Sequence, residues 1–242
     1  MLPKPLYDYF EFNGKNSLEF NVRCSNTGTW KTPNKRVSTE TVVGRNGDVL
    51  VTEDGYEDVT IPYDFFVVDN FENKFLDFGD FLNASKGFCR LEDAYHPDEY
   101  RMARVEEGLD PEVVFNEAGS ATINFICHPE RWLKSGEVPI ELSQGNHRII
   151  NPTRHTAKPL IYVRGTGKLR ISDIEIEVLN NSDNNLVLDC DTEDAYTNGT
   201  LDNRNSDIST TSTTFFLLPV GAFGITVPAG MSISLIPRWY NI

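Results

Sequence analysis

The sequence predicts a mainly β protein of two domains, on three observations. Apolar residues alternate at period two in short runs such as Ile174, Ile176 and Val178. Turn formers are dense, with 17 Gly and 13 Pro in 242 residues. Only one stretch, from Phe71 to Leu82, spaces its apolar residues as a helix does. Period-two alternation puts every second side chain on one face of a strand, and so many turn formers leave little room for long helices. The length suits one large or two small domains.

In chain order, Phe10 and Phe12 precede Asn13-Gly14, and Leu18, Phe20 and Val22 follow at alternate positions. This predicts an opening hairpin, because Asn-Gly supplies the positive φ angles of a tight turn. Residues 25–36 are polar, contain Gly28 and Pro33, and read as loop. Val42 and Val43 lead into Gly44-Arg45-Asn46-Gly47-Asp48 and then Val49 to Val51, a second Asn-Gly turn between β-branched runs. Phe71, Phe75, Phe78, Phe81 and Leu82 form one apolar helical stripe, which reads as core contact. Asp69 with Glu72 fits a capping box, and Gly87 fits a C-terminal stop. Gly79 inside the helix costs about 1 kcal/mol against Ala. Residues 90–118 are charged, with Pro97 and Pro111, and are expected to form an extended hairpin arm around Tyr100 to Val105. Ile123, Phe125 and Cys127 alternate in a strand that ends at Pro129.

Residues 130–158 are polar and carry Gly136, Pro139, Gly145 and Pro152. A domain boundary is expected here, dividing the chain into 1–133 and 134–242. Beyond it Leu160 to Val163, Gly165-Thr166-Gly167 and Leu169 to Ile171 read as a hairpin. Ser172-Asp173 reads as a bulge before Ile174 to Val178, and Leu186 to Leu188 as a short strand. Residues 191–213 are rich in Asp, Asn, Ser and Thr and read as loop. The final strands are Phe215 to Leu218, Ile225 to Val227 and Met231 to Ile236. Strands at this spacing without intervening helices predict an antiparallel sandwich. The stretch from Thr214 to Ile236 has no charged residue, but its prolines, glycines and alternating serines give strand, turn and strand rather than a membrane helix.

Net charge is −14 and mean hydropathy is −0.36, the composition of a soluble globular protein. So acidic a surface has no surplus of cations to displace DNA counterions, which argues against nucleic-acid binding. It also suits a wall past which DNA slides without sticking, although ordinary solubility is the more common reason for such charge and charge alone does not choose between them. The start, MLPKPLYDYF, lacks the apolar core of a signal peptide. Cys24, Cys89, Cys127 and Cys190 lie far apart and form no CxxC pair; they read as buried free thiols of a protein made in a reducing cytoplasm.

Catalytic signatures are sparse. There is no G-x-S-x-G elbow and no P-loop, and Gly165-Thr166-Gly167 joins two strands where a dinucleotide site needs a strand and a helix. His96, His128, His147 and His155 show no H-x-x-x-H spacing. Cys127, His128 and Glu130 form the nearest thing to a metal set, but adjacent strand residues point to opposite faces. Asp189, Asp191, Glu193 and Asp194 lack the glycine and terminal glutamate of an EF-hand loop and read as a solvated run. Trp30, Trp132 and Trp239 are candidate sugar platforms, and each reads first as a core or interface anchor; Trp239 is expected to pack. No catalytic residue, metal or cofactor is expected.

The order of these parts resembles the distal tail (Dit) family of siphophages. Phe12-Asn13-Gly14 looks like the family's opening hairpin. Val43-Gly44-Arg45-Asn46-Gly47-Asp48 looks like its G-R-x-G-D turn, and the Phe71–Leu82 helix stands where the family has its single helix. Phe125 to Pro129 looks like the F-x-C-x-P segment closing the N-terminal domain, and Ile236-Pro237-Arg238-Trp239 like the family's last strand. The resemblance implies an N-terminal β-sandwich-like domain with one short helix and hairpin arms, which builds a ring. It also implies a C-terminal galectin-like antiparallel β-sandwich outside that ring. It further implies a homo-hexameric baseplate hub at the virion tail tip, with DNA passing through but not bound. Its partners would be the major tail tube protein, a tail-tip or tail-associated lysin protein, and receptor-binding proteins, with no membrane involved. Residues 34–52 and 90–107 are the expected arms. The expected ring contacts are Val43, Gly44, Arg45, Asn46, Gly47, Asp48, Tyr100 and Arg101. Two other classes stay open: a carbohydrate-binding adhesion module, with exposed aromatics on a sheet face, and a hydrolase with two carboxylates facing one cleft.

Overall fold

Two separate apolar cores organise the chain, and the division falls between Arg131 and Trp132. The computed structural model describes residues 8–25, 31–68, 70–114, 118–210 and 212–242, without the side chains of 52–54 and 114. Asp69 of the expected capping box and Trp30 lie outside the described residues.

In the first unit, β1 (Phe10–Phe12) turns through Asn13 and Gly14, at φ 49° and 74°, into β2 (Lys15–Asn16). The expected hairpin forms but ends early. The Asn16 side chain accepts from Leu18 N at 2.9 Å, and Glu19 accepts from Asn16 N at 3.1 Å, which caps a 3₁₀ turn over Ser17–Phe20. A local capping box therefore overrides the β alternation at Leu18 and Phe20. Val22 falls in β3 (Val22–Cys24), whose partner is a later strand.

β4 (Lys35–Glu40) and β5 (Val49–Tyr56) make a two-stranded ribbon. Then come β6 (Val59–Val68), α1 (Phe71–Ala84), β7 (Cys89–Asp93), β8 (Glu99–Val105), β9 (Glu112–Val114) and β10 (Ala118–Cys127). The sheet runs β2-β1-β7-β8-β10-β6-β3, all antiparallel, with β9 also on β10. Its two margins meet: Asp8, just before β1, bridges Cys24 at the end of β3, with Cys24 N donating to Asp8 O at 3.0 Å. The sheet curls until it closes. The segment expected to project as an arm around Tyr100 is instead β8, held between β7 and β10. Its side chains alternate between faces, with Ala103 buried on the inner one, so the segment is a strand of the sheet and not a free arm.

The helix buries Phe71, Phe78 and Leu82 and lays Phe75 and Phe81 partly on the same core. It starts after Asn70 in the left-handed region, φ 55°, and ends at Ser85. Gly87, φ 65°, lies beyond that end and turns the chain into β7 rather than capping the helix. Phe125 sits at the centre of the aromatic core, 5.3 Å from Phe10, 5.1 Å from Phe12 and 5.5 Å from Tyr63, mostly edge to face. Gly119 on β10 makes room for Phe71, whose ring a Cβ there would meet at 2.6 Å.

The second unit is a sandwich of two five-stranded antiparallel sheets. β11 (Arg131–Leu133) leads into β12 (Ile140–Leu142) and β13 (Gly145–Asn151), both inside the polar stretch expected to separate the domains. β14 (Leu160–Arg164), β15 (Gly167–Ile171), β16 (Ile174–Val178), β17 (Leu186–Asp189), β18 (Asp194–Thr197), β19 (Ile208–Thr210), β20 (Gly221–Val227), β21 (Ser232–Ile236) and β22 (Tyr240–Asn241) follow. One sheet is β12-β21-β14-β17-β18 and the other β13-β20-β15-β16-β19.

Four expectations change here. β14 and β15 are not a hairpin: Gly165-Thr166-Gly167 carries the chain from one sheet to the other. Gly165, φ 84°, has no room for a Cβ, which would lie 2.2 Å from Gly230 O in the second crossover between β20 and β21. Ser172-Asp173 is not a bulge but a two-residue turn, with Ile171 paired to Ile174 and Ser172 at φ 53°. The polar 191–213 stretch holds β18 and β19, which give the core only Ala195 and part of Ile208 and are also held by polar side chains. Asn205 Oδ1 accepts from Ala195 N, and Arg204 reaches Asp183 and Asp207. Phe215 to Leu218 is buried but forms only the Ala157–Leu218 bridge.

The closing Ile236-Pro237-Arg238-Trp239 segment locks this unit. Trp239 packs in the core as expected, and a Cβ on Gly136 would touch Trp239 N at 2.4 Å. Arg238 gives a two-pronged bond to Asp189 at 2.6 and 3.1 Å. Burial by itself raises the Asp189 carboxyl; the bonds from Arg238 and from the Asp191 and Thr192 backbone outweigh it and hold the group below the usual carboxylate range.

Two outcomes are expected. Phe125→Ala removes the centre of the first core and costs about 3–5 kcal/mol in urea unfolding; a cost under about 1 kcal/mol would contradict the packing. Because the folded Asp189 value is depressed, its contribution is full above the unfolded value of about 3.9 and is lost as pH falls through the folded one. Melting temperature followed below about pH 5 therefore falls less steeply in Asp189→Asn than in the parent chain. Parallel curves would sink this assignment.

Candidate assembly surface

The ribbon β4–β5 is the least covered part of the described chain. Every described residue of β4 is exposed, as are Val42, Val43, Leu50 and Val51. Val43 is 101% exposed. An isolated two-stranded ribbon is marginal in water, and its free edges are templates for further pairing. Its base is pinned, with Glu57 N donating to Asn34 O at 2.9 Å and Arg36 Nη2 to Tyr56 O at 3.4 Å. Its tip is closed by Thr41 Oγ1 donating to Asp48 Oδ1 at 2.7 Å and Arg45 N to Val42 O at 3.1 Å. Register shifts twice along the ribbon, between Lys35 and Val37 and between Ser38 and Thr39, and such irregularities sharpen twist.

The structure places Val43, Gly44, Arg45, Asn46, Gly47 and Asp48 together at this tip. The strands reach less far than expected, since β4 stops at Glu40 and Val42 and Val43 belong to the turn. Gly44 and Gly47, φ 86° and 80°, have open space around a would-be Cβ, so backbone conformation alone requires glycine there. The Arg45 side chain has no partner among the described residues. The apolar exposure of Val37, Leu50 and Val51 was not singled out from the sequence; β-branched runs read equally well as core.

Tyr100 and Arg101 stand elsewhere, on β8. Arg101 pairs with Leu91 on the inward face, and its Nη1 is buried with no bond. Burial pulls the guanidinium below its ordinary value, opposed in part by the Cys127 side and reinforced by Arg131. Tyr100 is on the opposite face, with the Arg90 guanidinium 3.7 Å over its ring. The two expected contact sets therefore do not share one element.

The candidate chemical groups find ordinary surroundings. His96 meets Asp93 at 3.1 Å, His128 stacks on Phe88 and faces Asp58 at 3.5 Å, and His147 meets Ser143 O at 2.7 Å. Asp191 pairs with Lys158 and Asp194 accepts from Asn205. Trp132 and His155 both pack on Tyr240. Burial pushes the Cys24, Cys127 and Cys190 thiols up to about 12, where little thiolate exists. Cys89 is only half-buried, and none of the four is paired. A thiol reagent at pH 8 should modify Cys89 quickly and the other three only on unfolding. Rapid loss of more than one thiol in the native protein would contradict this burial.

The sequence matches no protein-family model, and no curated protein sequence matches it. Solved structures do. The Dit protein of phage SPP1, described as a paradigm of the hub adsorption apparatus in phages infecting Gram-positive bacteria, superposes with a TM-score of 0.69 at 13% identity, over 97% of this chain and 99% of that one. A chain of the phage p2 baseplate in its activated conformation matches with a TM-score of 0.49 at 11% identity, over 94% of this chain and 97% of that one. At such identity the SPP1 likeness establishes the fold, along the whole length of both chains.

Proposed function

We propose that this chain is a structural virion protein, the distal tail hub of a siphophage, which forms a ring joining the tail tube to the tail-tip proteins. The observation that carries the reading is the likeness to SPP1 Dit over 97% of this chain and 99% of that one. The exposed ribbon supports it. A ring needs a heterologous contact that closes on itself, and a ribbon laid on a neighbour, or paired with its sheet, supplies one. Val43, Val51 and Arg45 then lose the exposure they have in a single copy.

In this reading six copies form the ring, the tube protein sits on one side and the tail-tip or lysin protein on the other, and receptor-binding proteins dock outside. The net charge of −14 per chain keeps DNA sliding through the pore rather than bound. The role needs no active site.

Light scattering on a sizing column, with negative-stain images of the same fractions, tests this. The expected mass is about six times 27.4 kDa, as closed rings with a central hole. Replacing residues 36–55 by a short Gly-Ser linker should leave the aromatic core's melting transition in place and abolish the rings. A strict monomer at every concentration and salt would contradict the hub, whereas rings formed without the ribbon would contradict only its role.

A further inference from the structure

We infer that the outer face of the β12-β21-β14-β17-β18 sheet is a binding site for a neutral saccharide. This inference is independent of the ring. Register aligns Glu141 with Ser234, Ser234 with Tyr162, and Arg164 with Ser232. The alternating residues Ile161, Val163, Ile233 and Leu235 fill the core, so these polar side chains stand on the opposite face. A cleft of about 260 Å³ lies over them, walled by the loops that bear Asn184 and Asn198. This is just below the usual ligand-pocket range of about 300–1,000 Å³.

The lining names the ligand class. Glu141 only accepts hydrogen bonds, Arg164 only donates, and Ser232 and the amides do both. Tyr162 adds a flat ring with a polar tip. One negative and one positive side chain balance, so the cleft selects neither anions nor cations. A sugar presents many hydroxyls, each donor and acceptor, around an apolar ring face, and so meets this set.

Parts of the site are already fixed in place. Asn184 Oδ1 accepts from Gly165 N at 2.8 Å, which leaves its NH₂ to donate. Ser234 Oγ donates to Glu141 Oε1, which leaves the second carboxylate oxygen. Among the described residues the side chains of Arg164, Asn198 and Ser232 make no hydrogen bond. None of the large exposed apolar side chains lies in the cleft, which disfavours a protein partner, whose contact core is apolar. From the sequence the tryptophans are the candidate sugar platforms, though each reads first as an anchor. Trp239 is core and Trp132 packs on Tyr240, and a tyrosine takes the place.

The test is saturation-transfer NMR on the whole protein. The panel is neutral oligosaccharides of glucose, galactose, rhamnose and N-acetylglucosamine, with glycerol phosphate oligomers as the anionic arm. At least one neutral oligosaccharide should show transfer. Its affinity should fall about tenfold or more in Tyr162→Ala and in Arg164→Ala, with the melting temperature kept, and survive in Tyr162→Phe. Transfer from no neutral sugar, transfer from the phosphate oligomers alone, or affinity untouched by Tyr162→Ala would each overturn the site.

Discussion

A strand leaves a row of unpaired N–H and C=O groups along each free edge, and these must be satisfied or shielded. The chain answers this constraint differently in each part. The first sheet curls until Asp8 bridges Cys24. The second unit stacks two sheets over one core and closes it with the Arg238-Trp239 segment. The ribbon β4–β5 has no such answer within one copy. The ribbon is the part left most exposed in a single copy, and the hub proposal puts the contact between copies there.

Packing enforces the same topology. Gly119 admits Phe71, Gly136 admits Trp239, and Gly165 lets the two crossovers of the sandwich run side by side. Each is a position where the missing Cβ is filled by a neighbour, so the contact fixes the path of the chain. The aromatic core around Phe125 holds the closed sheet rigid enough to carry the ribbon and to keep Arg101 half-buried against its charge penalty.

The legible part of the fold was what local pattern encodes. The Phe71–Leu82 stripe, the Ile123–Cys127 strand and the Asn13-Gly14 turn each follow from spacing or from φ preference. What spacing does not encode is partnership. Leu160 to Val163 and Leu169 to Ile171 alternate alike whether they pair with each other or with β17 and β21 on one side and β16 and β20 on the other. The charged 90–107 stretch reads as an arm because its charges do not reveal that β8 is held between β7 and β10 with Arg101 on the inner face. β18 and β19 are hidden by polarity, since Ala195 and Ile208 are their only apolar contributions to the core and Arg204 and Asn205 supply much of the rest. The turn from Val43 to Asp48 was legible from its turn residues, and the Tyr162 row was not, because cross-strand neighbours are scattered along the sequence.

In the proposed hub a neighbouring copy covers the ribbon. Hydrogen exchange of the Val37–Val51 amides, compared between dilute monomer and assembled protein, tests it most directly. The account predicts fast exchange in the monomer and strong protection on assembly, confined to the ribbon and the surface that receives it. Ribbon amides that exchange equally fast in both states would contradict it.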